Sequence, residues 1–148
     1  PYMLSEGCWT TGGVPRESFE KAGTPEIFAY RDEDGFHRDF VDDDQAIIAN
    51  VKDKGLVIVA GCAHAGIINT INQAKAISGV NKVYAIIGGF HLISSTPEEI
   101  QHTVDKVKSL SPHIIVPTHC TGFPAIVQFA TQMPEQFVLG VVGTTYQF

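Results

Sequence analysis

Three times along the chain an apolar run gives way to a small-residue turn that carries a histidine. Leu56-Val-Ile-Val-Ala60 runs into Gly61-Cys62-Ala63-His64, and Val83-Tyr-Ala-Ile-Ile87 runs into Gly88-Gly89-Phe90-His91. Ile114-Ile-Val116 then runs into Pro117-Thr118-His119-Cys120. Apolar runs without polar alternation predict strands buried on both faces. A helical period follows each turn, and successive histidines lie 27 and 28 residues apart, about the length of one β-α-β unit. Ligand crevices in such sheets open outside the carboxyl ends of the strands. If the three strands are parallel neighbours, their histidines converge on one rim.

The remaining pattern fills in an α/β fold. Residues 1–24 hold Gly7, Gly12, Gly13, Pro15 and Gly23 and no helical period, predicting a loop-rich segment with one short strand. Ile27–Arg31 and Phe36–Phe40 flank an Asp-Gly turn and predict a hairpin. Asp42-Asp43-Asp44 reads most simply as a solvated turn, and Ala46–Val51 with Leu56–Ala60 as a second hairpin. Ile67, Ile71, Ala74 and Ile77 share one helical face, with Gly79 as the stop. Thr96-Pro97-Glu98-Glu99 is a capping box ahead of the stripe Ile100, Val104, Val107 and Leu110. Ala125, Ile126, Phe129 and Ala130 predict a shorter helix ended by Pro134, and Phe137–Val142 a last strand. The organisation is one domain, with a loop-and-hairpin region over 1–45 and β-α repeats over 46–148.

Composition narrows the classes. At 148 residues and 44% hydrophobic, the chain can bury a core of ordinary domain size. A net charge of −6 with ten scattered Lys and Arg argues against nucleic acid or an anionic membrane as partner. No apolar run approaches the roughly 18–20 residues of a membrane span, and no signal-peptide pattern opens the sequence. Three cysteines without regular spacing do not form a disulfide framework and fit a reducing, cytoplasmic setting. The start at Pro1, already in turn-like sequence, reads as part of a longer polypeptide.

Zinc or manganese held by imidazoles and carboxylates lowers the pKa of bound water to about 7. His64 and His119 read as metal ligands. His91 reads either as a third ligand or as a group packed beside the ligands. His37, His102 and His113 fall in a hairpin, a helix and a strand entrance, where ordinary polar roles suffice. No carboxylate sits at a matching strand end, so the set is short of ligands for two metals. A Cys-His nucleophilic pair is the competing chemistry, with Cys62 near His64 and Cys120 next to His119. Neighbours on an extended strand point to opposite faces, which predicts that Cys120 does not share the direction of His119 and that the thiols are inert packing. Gly66 opens a helix whose free N–H groups could receive an anion such as phosphate, or is a bare helix start. Arg16 is an anion clamp or a surface cation.

Taken together, Gly61-Cys62-Ala63-His64-Ala65-Gly66-Ile67 with Asn69-Thr70, Gly88-Gly89-Phe90-His91-Leu92 and His119-Cys120-Thr121-Gly122 resemble the second half of metallo-β-lactamase-fold proteins. Within that superfamily they are similar to the branch of 7,8-dihydropterin-6-yl-methyl-4-(β-D-ribofuranosyl)aminobenzene 5′-phosphate synthase-like proteins. Gly12-Gly13-Val14-Pro15-Arg16 with Phe19-Glu20 matches that branch's Gly-Glu-Ile-Pro-Arg…Phe-Glu segment, Gly13 replacing the Glu, and Asp43-Asp44-Gln45-Ala46 also matches.

The resemblance implies the C-terminal half of an αββα sandwich, a mixed sheet with helices on one face. It implies His64 and His119 as metal ligands, and places His91 near a motif where most of the superfamily has a bridging Asp. There His91 is expected to face substrate, in a catalytic role. The implied cofactor is a divalent metal, zinc with manganese or iron as alternatives, dinuclear in an intact parent. The implied activity is that of a hydrolase or synthase using metal-bound hydroxide on a small molecule, a phosphorylated pterin-type compound. The family's His-x-His-x-Asp-His segment is not in these 148 residues. The isolated chain is therefore expected to be inactive, and to pair with a missing N-terminal half or with itself. A non-catalytic interaction module with a vestigial metal site, and a Cys-His hydrolase, are the rival readings.

Overall fold

The computed structural model describes residues 1–20 and 29–148. Six strands form one sheet: β1 (Tyr2–Ser5), β2 (Cys8–Thr10), β5 (Ala46–Val51), β6 (Gly55–Ala60), β7 (Val83–Gly89) and β8 (Ile114–Thr118), in the spatial order β1-β2-β5-β6-β7-β8. Two more, β3 (Ala29–Asp32) and β4 (Gly35–Arg38), pair as a separate hairpin. Its first predicted residues, 27 and 28, lie outside the described residues. The large sheet is mixed. The pairs β1–β2, β2–β5 and β5–β6 are antiparallel, while β6–β7 and β7–β8 are parallel.

Helices α1 (Ile67–Ser78) and α2 (Pro97–Ser109) connect the parallel strands, and α3 (Phe123–Gln132) follows β8. Helix α1 ends at Gly79 as its pattern predicts, and α2 opens with a reciprocal Thr96–Glu99 capping box and Pro97 in its first turn. Their apolar stripes (Ile67, Ile71, Ile100, Val104 and Val107) join Phe129 of α3 on the sheet face carrying Ile48, Ile58, Ile86 and Ile115. All three helices therefore cover the same face. Each such side chain, fully buried, contributes roughly 1.5–3 kcal/mol.

The opposite face carries a cross-strand row in which Ile47 pairs with Val59, Val59 with Ile87, and Ile87 with Val116. Ile47 and Val59 are 47% and 42% exposed. Val116 is fully buried because the C-terminal segment crosses it, with Gly140 so near that a Cβ there would meet Val116 Cγ1 at 2.7 Å.

Two expectations change. The first twenty residues supply two short strands rather than one, both at the sheet's antiparallel edge. Phe137–Val142 makes only an isolated bridge from Phe137 to Ile115. That bridge consists of Val138 N–H donating to the Ile115 carbonyl and Ile115 N–H to the Gln136 carbonyl, and Gly140 and Gly143 interrupt the apolar pattern beyond it.

Candidate functional site

Because β6, β7 and β8 are parallel neighbours, their carboxyl ends make one rim, and each predicted histidine stands there. His64 and His91 lie with ring centroids 4.2 Å apart. His119 opens a single 3-10 turn, His119–Thr121, directly after β8. A continuous set of contacts joins these ends. Gly89 N–H donates to the Gly61 carbonyl (2.9 Å), Phe90 N–H to Thr121 Oγ1 (3.0 Å) and Ile93 N–H to the Cys120 carbonyl (3.2 Å).

The turns are strained. Ala63, His91 and His119 have φ of 55°, 51° and 49°, a left-handed conformation uncommon for residues with a side chain. Such positions cost about 1–3 kcal/mol each and cluster at functional sites.

The peptide unit of His64 is fixed from both sides. Its N–H donates to Asp44 Oδ2 (2.6 Å), and its carbonyl accepts from Arg16 Nη1 (2.6 Å). Among the described residues, the His64 Nδ1 atom is buried without a hydrogen-bond partner. Burial holds the imidazole below its ordinary pKa of 6.5, and the neighbouring His91 lowers it further while Asp44 opposes. His64 is accordingly neutral at pH 7, the form in which an imidazole can bind a metal.

Arg16 also donates from Nη2 to the Phe40 carbonyl (2.6 Å) and lies 3.5 Å from Asp42. It thus ties the end of the β3–β4 hairpin segment to the turn of His64. Beside it is an open cleft of about 720 Å³ lined by Tyr30, Phe36, His37, Arg38, Phe40 and Asp42, among others.

The amino end of α1 is occupied from within the chain. Both carboxylate oxygens of Glu20 accept from Ile68 N–H (3.1 and 3.0 Å), and Oε2 also accepts from Asn69 N–H (3.1 Å). Gly66, with φ 101°, permits this approach, since a Cβ there would collide with the Glu20 carboxylate. An external anion at Gly66 would have to displace Glu20. Burial raises the Glu20 carboxyl above its usual 4.5, with the Ile68 and Asn69 N–H groups pulling the other way.

The cysteines depart from expectation. His119 does not continue the strand, so alternation no longer separates it from Cys120. Cys62 Sγ lies 3.5 Å from His119 Nδ1, and Cys120 Sγ donates to the Cys62 carbonyl at 3.3 Å. Burial pushes the Cys120 thiol up to about 11, nearby Cys62 adding to the rise and the His91 backbone N–H opposing it. The sequence alone misses two contacts: Asp44, expected in a solvated turn, accepts from the His64 N–H, and Glu20, marked only by its family match, caps α1. The Asp43-Asp44-Gln45-Ala46 and Phe19-Glu20 matches were the available signals.

Comparison with known proteins follows the same lines. No protein-family model matches the chain. It is 42% identical over 142 residues to the 7,8-dihydropterin-6-methyl-4-(beta-D-ribofuranosyl)-aminobenzene-5'-phosphate synthase of Methanocaldococcus jannaschii, covering 93% of this chain and 47% of that protein. An uncharacterised protein of the same organism, MJ0448, is 34% identical over 144 residues, covering 97% of this chain and 50% of that one. The chain thus spans about half the length of the curated relatives it matches. The crystal structure of Tm1679, a metal-dependent hydrolase of the beta-lactamase superfamily, superposes with a TM-score of 0.86 at 25% identity, over 99% of this chain and 55% of that one.

Proposed function

We propose that the chain, which shares its fold with a metal-dependent hydrolase of the beta-lactamase superfamily, belongs to the metallo-β-lactamase superfamily and forms the C-terminal part of a metal-dependent hydrolase or synthase. His64 and His119 hold the ion together with residues from the remaining half, and His91 faces substrate. The observation that carries this reading is the His64 imidazole. Asp44 and Arg16 hold the backbone N–H and carbonyl of His64, burial keeps the ring neutral at pH 7, and its Nδ1 is buried without a hydrogen-bond partner among the described residues. A buried polar atom without a partner costs about 1–3 kcal/mol, a cost that ligation would remove.

A divalent ion bound there, zinc by preference and manganese or iron by the same donors, supplies a Lewis acid and lowers the pKa of water to about 7. The chain's own part is positioning. Asp44 and Arg16 orient the peptide of His64, and the strained turns at His91 and His119 aim those rings off the strand ends. The aromatic rings of Tyr30, Phe36 and Phe40 line a cleft suited to a planar ring, with Arg38 set among the carboxylates of Asp39, Asp42 and Asp43. A planar ring fits a compound of the pterin type, the class in the name of the M. jannaschii synthase. The exposed Ile47–Val59 row is where the remaining half packs. The thiols, all free, suit a cytoplasmic setting, and no helix among the described residues is long and apolar enough to cross a membrane.

The test is turnover of a phosphodiester or lactone with zinc or manganese, by the chain alone and with the remaining half supplied. The expected result is none alone, activity on complementation, and its loss with a chelator or with His64→Ala. One observation favours a second reading: the 3.5 Å Cys62 Sγ to His119 Nδ1 contact is that of a nucleophile and its base. Activity that resists chelators and is abolished by iodoacetamide would overturn the first reading in favour of the second.

A further inference from the structure

We infer that Cys62, His119 and Cys120 form a binding site for a thiophilic cation of the zinc class, with two sulfurs and one imidazole nitrogen as donors. It goes beyond the hydrolytic reading, because two of its three donors are thiols that reading does not use, and it competes with that reading for His119, whose neutral imidazole offers one lone pair either to this cation or to the ion held with His64.

The first argument is topological. Cys62 follows β6 and Cys120 follows β8, and β7 lies between them. Two strand spacings separate such ends by about 9.6 Å. The cysteines meet because both fold over the end of β7 at Gly89. A Cβ on Gly89 would lie 2.7 Å from Cys120 Sγ, 2.7 Å from the Gly61 carbonyl oxygen and 3.1 Å from Cys62 Cα. Only a residue without a side chain lets the two ends close over the strand.

The second argument is geometric. One ligand atom from each of the three residues lies within 4.8 Å of the others. Tetrahedral zinc bonds of about 2.3 Å to sulfur and 2.0–2.1 Å to nitrogen place neighbouring S and N donors about 3.5 Å apart, and two sulfurs about 3.8 Å apart. The Cys62 Sγ to His119 Nδ1 distance is already 3.5 Å, so the cluster needs only a small contraction. Two sulfurs and a nitrogen select soft and borderline cations over magnesium or calcium. They also leave the fourth tetrahedral position open.

The third argument concerns His119, which is exposed and held at φ 49°. Packing of inert thiols requires no imidazole, least of all one kept in a strained backbone with its Nδ1 on a sulfur. A ligand set accounts for all three side chains at once.

Cadmium is a suitable probe, because thiolate coordination gives a near-ultraviolet charge-transfer absorption that histidine or carboxylate coordination does not. The chain, kept reduced with a non-thiol reductant, is titrated with cadmium and competed with zinc. The expected result is an absorption that saturates at one ion per chain and is displaced by zinc. It should survive in His64→Ala. Uptake should be at least about tenfold weaker in Cys62→Ser and in Cys120→Ser, since loss of even an outer partner of a metal ligand costs 10–100-fold. A second measurement needs no variant: cadmium should protect Cys62 and Cys120 from alkylation while Cys8, on strand β2, reacts at its metal-free rate. Cadmium uptake without the absorption, or equal alkylation of all three thiols with and without the ion, would overturn the site. Either outcome would leave His119 to the ion it holds with His64 on the proposed function, which turnover tests separately.

Discussion

Glu20 caps a helix that begins 47 residues further along the chain, receiving the N–H groups of Ile68 and Asn69 on its carboxylate. Burial raises its carboxyl, so the folded chain takes up this proton more readily than the unfolded one. Stability contributed by the protonated form is therefore fully present below the ordinary value of 4.5 and is lost as pH rises through the raised value. Glu20→Gln removes the titration. Urea unfolding should show wild type losing ground to the variant as pH rises from 4 to 7. Parallel stability profiles would mean that Glu20 titrates normally. Residues of this kind are the least legible in a sequence. His64, His91 and His119 announced themselves by standing at equivalent strand ends. Glu20 and Asp44 act on residues 48 and 20 positions away, where no periodicity connects donor to acceptor. Arg16 was visible as a cation, but not its two carbonyl acceptors.

Elements with local causes were legible in the sequence. The α2 capping box is written in Thr96, Pro97 and Glu99, and the structure forms both of its reciprocal bonds. Thr96→Ala should cost about 1 kcal/mol, a fall in Tm of about 3 °C for a domain of this size, measurable by calorimetry. An unchanged Tm would mean that tertiary packing alone holds the helix start. The same local logic failed where neighbours decide. β1 and β2 are four and three residues long and exist because β5 offers an edge to pair with. Residues 137–142 are apolar enough for a strand but make only one bridge. The 3-10 turn after Thr118 breaks the strand one residue before Cys120, and that break brings Cys120 beside Cys62.

At the scale of the whole molecule, the sheet is covered by helices on one face and leaves Ile47 and Val59 paired and half-exposed on the other. The chain matches about half the length of its curated relatives, and on the proposed reading the other half covers this row. Burying an Ile or Val is worth roughly 1.5–3 kcal/mol. Ile47→Glu with Val59→Glu should therefore weaken association with the remaining half by at least about tenfold, read by sedimentation velocity. The Tm of the isolated chain should change little, because both side chains already face water. Unchanged association would place the partner elsewhere. The mixed α/β class and the parallel order of β6, β7 and β8 were accessible from the sequence. Which sheet face stays open was not, because a continuous apolar run reads as buried on both sides.

On the proposed reading, the backbone of His64 is gripped before any ion arrives, at its N–H by Asp44 and at its carbonyl by Arg16. Ordering a loop is a cost that many metal sites meet at the moment of binding. Here folding has already met it, so capture needs no slow settling of the turn. Arg16 also fastens the stretch after the hairpin through Phe40, and a push on that stretch reaches the imidazole through a single guanidinium.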